Sequence, residues 1–188
     1  MAKFYISDTH FYHKNIIKYE KVRNHYESFE EMNEDMIKRW NDKVSKEDVV
    51  YIIGDLSFRG GDRLVSILER LNGEKVLILG NHDGLISTSI KERYFKDVSS
   101  TRFTKDILNG EEVRIHMSHF PLWDWDCHGH REGTIHLYGH IHDKLELRIP
   151  KENAYNVSSA IMDLSPSTLD DVILYNKKWI EGGSDVYE

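Results

Sequence analysis

Histidine, aspartate and asparagine recur along this chain in five short clusters: Asp8-x-His10, Gly54-Asp55, Gly80-Asn81-His82-Asp83, Ser118-His119 and Gly139-His140-Ile141-His142. Imidazole nitrogen, carboxylate and amide oxygen, without thiolate, suit borderline divalent ions such as Mn, Fe, Co, Ni or Zn better than Ca or a Cys-rich structural zinc site. Two such ions roughly 3.5 to 4 Å apart can share a water, lower its pKa and clamp the phosphoryl oxygens of an in-line displacement. A histidine beside them can supply a proton or a positive charge to the leaving alkoxide. These residue types therefore suit hydrolysis of a phosphoester.

The clusters differ in what each is worth. With 16 Asp and 11 His in 188 residues, chance placement gives roughly one Asp-x-His per chain. A second instance is indeed present, Asp126-x-His128, and a second His-x-His, His128-x-His130, stands beside His140-x-His142; one copy of each is a decoy. Gly80-Asn81-His82-Asp83 is far more specific, with about three chance occurrences in a thousand such chains.

Each cluster needs an element to carry it. Phe4 to Ser7, Asp48 to Ile53 and Lys75 to Leu79 are apolar runs that read as buried strands, each ending in one of the polar loops. Thr101 to Lys105 and Val113 to Met117, joined across Asn109-Gly110, read as a hairpin that delivers His119. Thr134 to Tyr138 leads into the Gly-His-x-His cluster, and Val172 to Tyr175 is expected to close the sheet as a strand. Ser28 with Glu31 is a capping-box signature, followed by Phe29, Met32, Met36, Ile37 and Trp40 at helical spacing. A further helix is expected from about Asp62 to Leu71. Because ligands gather at the carboxyl ends of strands in open α/β sheets, the five loops are expected to converge.

Length and composition set the bounds. A chain of 188 residues with 39% hydrophobic content supports one substantial core, so a single domain over residues 1–188 is expected, with about 176–188 as a mobile tail. The formal charge of −7 disfavours general affinity for nucleic acid. No run is apolar enough for a secretory or membrane-spanning segment, so the chain reads as soluble and cytoplasmic, with no membrane partner. Cys127 is the only cysteine, which excludes an internal disulfide.

Taken in order, Asp-x-His, Gly-Asp, Gly-Asn-His-Asp, a later His and Gly-His-x-His resemble the calcineurin-like metallophosphoesterase superfamily, over about residues 4 to 165. The resemblance implies an α/β fold, a two-sheet β-sandwich flanked by helices in four layers (α/β/β/α), with a dimetal site at one end of the sheets. It implies a first divalent metal held by Asp8, His10, Asp55 and His142, and a second held by Asp55, Asn81, His119 and His140. His82 matches the catalytic histidine, which is not a metal ligand, and Asp83 would orient it. The nucleophile would be a metal-bridging water. One departure touches the ligands: Ser118 precedes His119 where the family usually has Gly, and this is expected to shift the loop slightly.

Substrate contacts are less sharply marked. Gly54-Asp55-Leu56-Ser57-Phe58-Arg59-Gly60 resembles the Gly-Asp-x-x-Asp-Arg-Gly segment of the phosphoprotein phosphatase branch, whose Arg binds phosphate in a bidentate manner. Phe58 replaces the Asp, and Arg59 reads either as that contact or as an exposed residue near a helix start. His13 could face the phosphate or simply be solvated. His25 reads as a surface residue, and His116 and His136 as hydrogen-bonded structural residues within strands. The segment Trp123 to His130 reads either as a loop beside the metals, stacking on a base or sugar, or as cover for the sheet edge.

Three function classes follow: a phosphodiesterase or phosphomonoesterase acting on a small substrate such as a nucleotide, a metal-dependent nuclease, and a non-catalytic metal-binding module. A protein phosphatase is a weaker variant of the first, motivated by Arg59 alone. The acidic charge favours the first class over the nuclease, and the complete ligand set with His82 disfavours the module.

Overall fold

Strand formation follows the apolar runs closely. The computed structural model describes residues 1–129 and 133–183. In chain order the elements are β1 (Lys3–Ile6), α1 (Ile16–Tyr19), α2 (Phe29–Lys43), β2 (Val49–Ile53), α3 (Gly61–Leu68), β3 (Glu74–Ile78), α4 (Thr88–Tyr94), β4 (Asp97–Ser99), β5 (Thr101–Leu108), β6 (Glu111–Ser118), β7 (Ile135–Tyr138), β8 (Ala154–Asn156) and α5 (Leu169–Gly183), with short 3-10 turns between some of them. Two four-stranded sheets form, ordered β1-β2-β3-β4 and β5-β6-β7-β8, and helices flank them. The first sheet is parallel throughout. Its strand β2 is buried at every position, as a parallel strand covered on both faces must be.

The second sheet begins as a hairpin. Asn109 (φ 52°) and Gly110 (φ 85°) both lie in the left-handed region, the backbone a two-residue turn of type I′ requires and one that Asn-Gly tolerates best. Strand β5 then alternates strictly between half-buried and exposed residues. Its inward side faces the first sheet, where Tyr5 Oη donates to Asp106 Oδ2 at 2.7 Å and Tyr51 Oη lies 3.1 Å from Thr104 Oγ1. After the hairpin, β6, β7 and β8 run parallel. The carboxyl ends of β6 and β7 therefore lie together, as do those of β1, β2 and β3.

Helix α2 starts as its sequence announces. The Glu31 N–H donates to Ser28 Oγ at 3.1 Å, while the Glu31 carboxylate accepts from the Glu27 N–H at 2.9 Å. Met32, Met36, Ile37 and Trp40 are buried on one stripe and join the main core.

The C-terminal expectations need correction. Val172 to Tyr175 is not a strand but lies inside α5, and β8 closes the sheet instead. A four-residue apolar run fits a strand or a buried helix equally well. What separates them is the burial of Leu169, Val172 and Asn176 at spacings of three and four residues. Nor are residues 176–183 a tail: the helix continues through Gly183. Its Asn176 Oδ1 accepts the Asn156 N–H at 2.9 Å, and Asn176 Nδ2 donates to Asn156 O at 2.7 Å and Val172 O at 2.9 Å. Residues 184–188 lie outside the described residues.

Candidate metal centre

Five loops meet at the carboxyl ends of β1, β2, β3, β6 and β7, and hydrogen bonds to backbone groups tie them together. The Asp8 N–H donates to Gly54 O at 3.0 Å and the His10 N–H to Asp55 O at 3.1 Å, joining the first two loops. The His140 N–H donates to both Asp8 carboxylate oxygens at 3.1 Å, joining the last loop to the first. Asp83 is fully buried and accepts from Gly80 N at 2.8 Å, Asp55 N at 2.9 Å and Leu56 N at 3.0 Å. Its carboxyl is thus bound to the β2 and β3 loops and makes no hydrogen bond with the His82 ring. Burial pushes its pKa up against those three N–H donors.

The side-chain donors form two groups. In the first, His10 Nε2 is 3.4 Å from His142 Nε2 and 3.8 Å from Asp55 Oδ2, and His142 Nε2 is 3.9 Å from Asp8 Oδ1. In the second, His119 Nε2 is 3.1 Å from Asn81 Oδ1 and 3.4 Å from Asp55 Oδ2, and His140 Nδ1 is 3.1 Å from the same Asn81 oxygen. Donors about 2.1 Å from a tetrahedral or octahedral ion lie about 3.0 to 3.4 Å from one another. The observed spacings match or exceed this by a few tenths of an ångström, so the residues fit divalent cations. Asp55 Oδ2 belongs to both groups. Ligand atoms of Asp8, His10 and His142, and separately of Asp8, Asp55 and His119, all lie within 4.8 Å of one another.

The backbone at these positions is strained. Asp8 (φ 52°), His10 (48°), Asp55 (54°), His140 (71°) and His142 (53°) all occupy the left-handed region that L-residues avoid. Close approach is managed by glycine: a Cβ on Gly54 would sit 2.7 Å from His119 Cγ, and one on Gly80 would sit 2.6 Å from Asp55 N. Ser118 is buried with its Oγ donating to Phe120 O at 2.7 Å, and the tight contact falls at Gly54.

Charge is distributed unevenly. Burial, and then repulsion from His142, lower the His10 pKa to about 3. Burial would raise Asp55, but its hydrogen bond to His119 and the His119 charge hold it at about 2. Burial would also lower His119, yet Asp55 and Asp8 outweigh it and raise it to about 9. His119 and Asp55 therefore behave as an ion pair, and a cation bound there competes with the His119 proton. His82 stands apart: 39% exposed, its Nε2 3.9 Å from Asp55 Oδ2 and its N–H donating to Asp55 Oδ1 at 2.9 Å.

The calcineurin-like phosphoesterase family matches residues 4–176. The chain belongs to this family. Calcineurin-like phosphoesterases are metal-dependent phosphoester hydrolases, and the Asp and His clusters of this member could hold metal. It is 34% identical to an uncharacterized protein of Methanocaldococcus jannaschii over 189 residues, covering 99% of this chain and 96% of that protein. It is 28% identical to the gene 66 protein of Mycobacterium phage L5 over 168 residues, covering 77% and 79% of the two chains. A solved structure of a protein of unknown function from Aquifex aeolicus shares the fold, with TM-score 0.66 and 21% identity over 92% of this chain and 97% of that one.

Within this phosphoesterase the second Asp-x-His makes ion pairs of its own: Asp126 pairs with Arg114 at 3.3 Å and His128 with Asp124 at 3.1 Å. His130 lies outside the described residues. Trp125 is buried and donates from its indole to Thr134 O at 2.7 Å, so it covers the sheet, whereas Trp123 is exposed beneath the Lys151 ammonium. His136 is a buried structural histidine, but His116 stacks on Phe103 at 4.4 Å and leaves Nδ1 without a partner. His25 is exposed. His13 stacks flat on Phe58, centroids 4.0 Å apart, beside His10 and His82. Arg59 is exposed, and its guanidinium makes no ion pair among the described residues.

Two further residues went unnoticed in the sequence. Glu20 is buried, its carboxylate bonded to His142 Nδ1 and to Arg23 Nε. Arg23 is fully buried and donates to Asp8 O at 3.0 Å, Thr9 O at 3.2 Å and Ser159 Oγ at 2.7 Å. Their only local signal is an i, i+3 acid–base pair, which reads as a solvated surface pair.

No helix among the described residues is long and apolar enough to cross a membrane.

Proposed function

We propose that this phosphoesterase hydrolyses a small phosphodiester or phosphomonoester with two divalent ions, one in each donor group. The carrying observation is the single Asp55 oxygen that lies 3.8 Å from His10 Nε2 and 3.4 Å from His119 Nε2, within reach of donors from both groups. When bound, the ions would supply Lewis acidity, acidifying water and offsetting the negative charge of the phosphoryl oxygens. Asp8, His10, Asp55 and His142 would hold one, and Asp55, Asn81, His119 and His140 the other. His82, whose ring makes no hydrogen bond among the described residues, would give a proton to the leaving oxygen. Asp83 acts through the β2 and β3 loops. The unpaired Arg59 guanidinium would bind phosphate, with His13 behind Phe58 lining the same side.

The lip of the site supports a substrate with a planar substituent. Phe120 is 48% exposed, and its ring centroid lies 4.6 Å from that of His140. Phe58 offers a second aromatic wall 5.2 Å from His82. Such rings stack readily on an aryl group or a base.

The test is a screen of metal-reconstituted protein against a bis-aryl phosphate, an aryl monophosphate, cyclic nucleotides and single-stranded nucleic acid. Turnover of the small esters is expected. Turnover confined to nucleic acid would replace this reading with the nuclease, and none at all with the binding module. R59A is expected to raise KM for a phosphomonoester about tenfold while keeping its metal content; an unchanged KM returns Arg59 to the surface.

A further inference from the structure

We propose that Glu20 is a positioning residue that sets the affinity of the first donor group alone, an assignment that rests on the two-ion reading above. A buried carboxylate is costly unless fully partnered. Glu20 is 2% exposed, and each of its oxygens has a partner: one faces His142 Nδ1, the other accepts from Arg23 Nε at 2.5 Å. By accepting the hydrogen bond from Nδ1–H it fixes the ring tautomer and turns Nε2 toward His10 Nε2, 3.4 Å away, and Asp8 Oδ1, 3.9 Å away. A carboxylate behind a ligating imidazole also raises the basicity of the ligating nitrogen.

The same carboxylate anchors the opposite loop. Through Arg23 it is linked to the carbonyls of Asp8 and Thr9, at 3.0 and 3.2 Å, within a turn where Asp8 and His10 both have positive φ. One buried pair therefore ties the loop after β1 to the loop after β7 and places Asp8, His10 and His142. The second group is supported differently. His119 Nδ1 is oriented by the backbone carbonyl of Ile53 at 2.9 Å, and among the described residues no carboxylate is hydrogen-bonded to the His140 ring. Loss of Glu20 should consequently fall on one ion and spare the other.

The experiment is manganese titration of chelator-treated wild-type protein and E20Q, followed by calorimetry, with a melting curve of each in chelator. Wild type is expected to bind two equivalents. E20Q is expected to keep one at the wild-type Kd and to weaken the other about 10- to 100-fold. Two equivalents at wild-type affinity in E20Q, or equal weakening of both, overturns the assignment while leaving the two-ion reading intact. Fewer than two equivalents in wild type overturns the two-ion reading itself. Should E20Q fail to fold, E20D keeps the charge beside Arg23 but stops short of His142, and the same outcomes apply.

Discussion

Asp55 and His82 make the sharpest contrast between individual residues, because they are neighbours with opposite duties. The Asp55 carboxylate is buried and shared between both donor groups, whereas the His82 ring is partly exposed and shared with neither. D55N replaces one oxygen of the proposed bridge by an amide nitrogen that cannot accept a cation. It is expected to lose at least one equivalent of metal by elemental analysis and to reduce turnover by at least about a hundredfold; full activity would sink the bridging role. H82A is expected to retain both equivalents, with turnover falling roughly 10²- to 10⁴-fold and most for poor leaving groups. Metal loss in H82A would mean that the ring is a ligand after all. The motifs named these residues, but not the left-handed φ values at five of the seven donors, since backbone strain is enforced by neighbouring loops.

Among elements, the hairpin β5–β6 and strand β7 carry a pH-sensitive support. The buried His136 on β7 accepts the Leu122 N–H at Nε2, 3.2 Å away, while its Nδ1 lies 3.3 Å from His116 O. Both bonds form only with the neutral ring protonated at Nδ1. Burial accordingly lowers its pKa to about 4. Between about pH 6.5 and 4 the unfolded chain binds a proton at this site that the folded chain refuses, so stability falls as the pH drops through that window. The loss approaches about 3 kcal/mol near pH 4. Chemical denaturation of wild type and H136N in chelator should show their stability difference shrinking by about that much between pH 7 and 4. A pH-independent difference would remove His136 from the account. The sequence marked His136 as structural because it sits inside an apolar run, yet it could not show its partners, which come from β6 and the loop beyond it.

At the scale of the whole molecule, the C-terminal helix reaches the candidate metal centre through two asparagines. Asn176 on α5 satisfies the backbone N–H and C=O of Asn156, whose side chain donates to His142 O at 2.7 Å. N176A leaves two buried backbone groups without partners. It is expected to cost about 2 to 5 kcal/mol, read as a drop in denaturation midpoint. A change below about 0.5 kcal/mol would mean that α5 is dispensable to the sandwich.

The division between sequence and tertiary structure follows the reach of each signal. Alternation and apolar runs are local, so β1, β2, β3, the hairpin and α2 were legible, as were the polar clusters at their ends and, through the order of those clusters, the family. Short elements bounded by weak signals, α4, β4 and β8, were not, and the Val172 run was misread because four apolar residues carry no period. Glu20 and Arg23 illustrate the other limit. In sequence they are a charged pair in a polar connection; only when β1 and β7 meet does burial turn them into the link between Asp8 and His142. The sequence by itself determined which donors exist and which chemistry they suit. Which donors come within reach of one another, which carboxylate lies near both groups and what holds each imidazole were decided by contacts between loops far apart in the chain, His10 and His142 being 132 positions apart, a separation over which no local pattern persists.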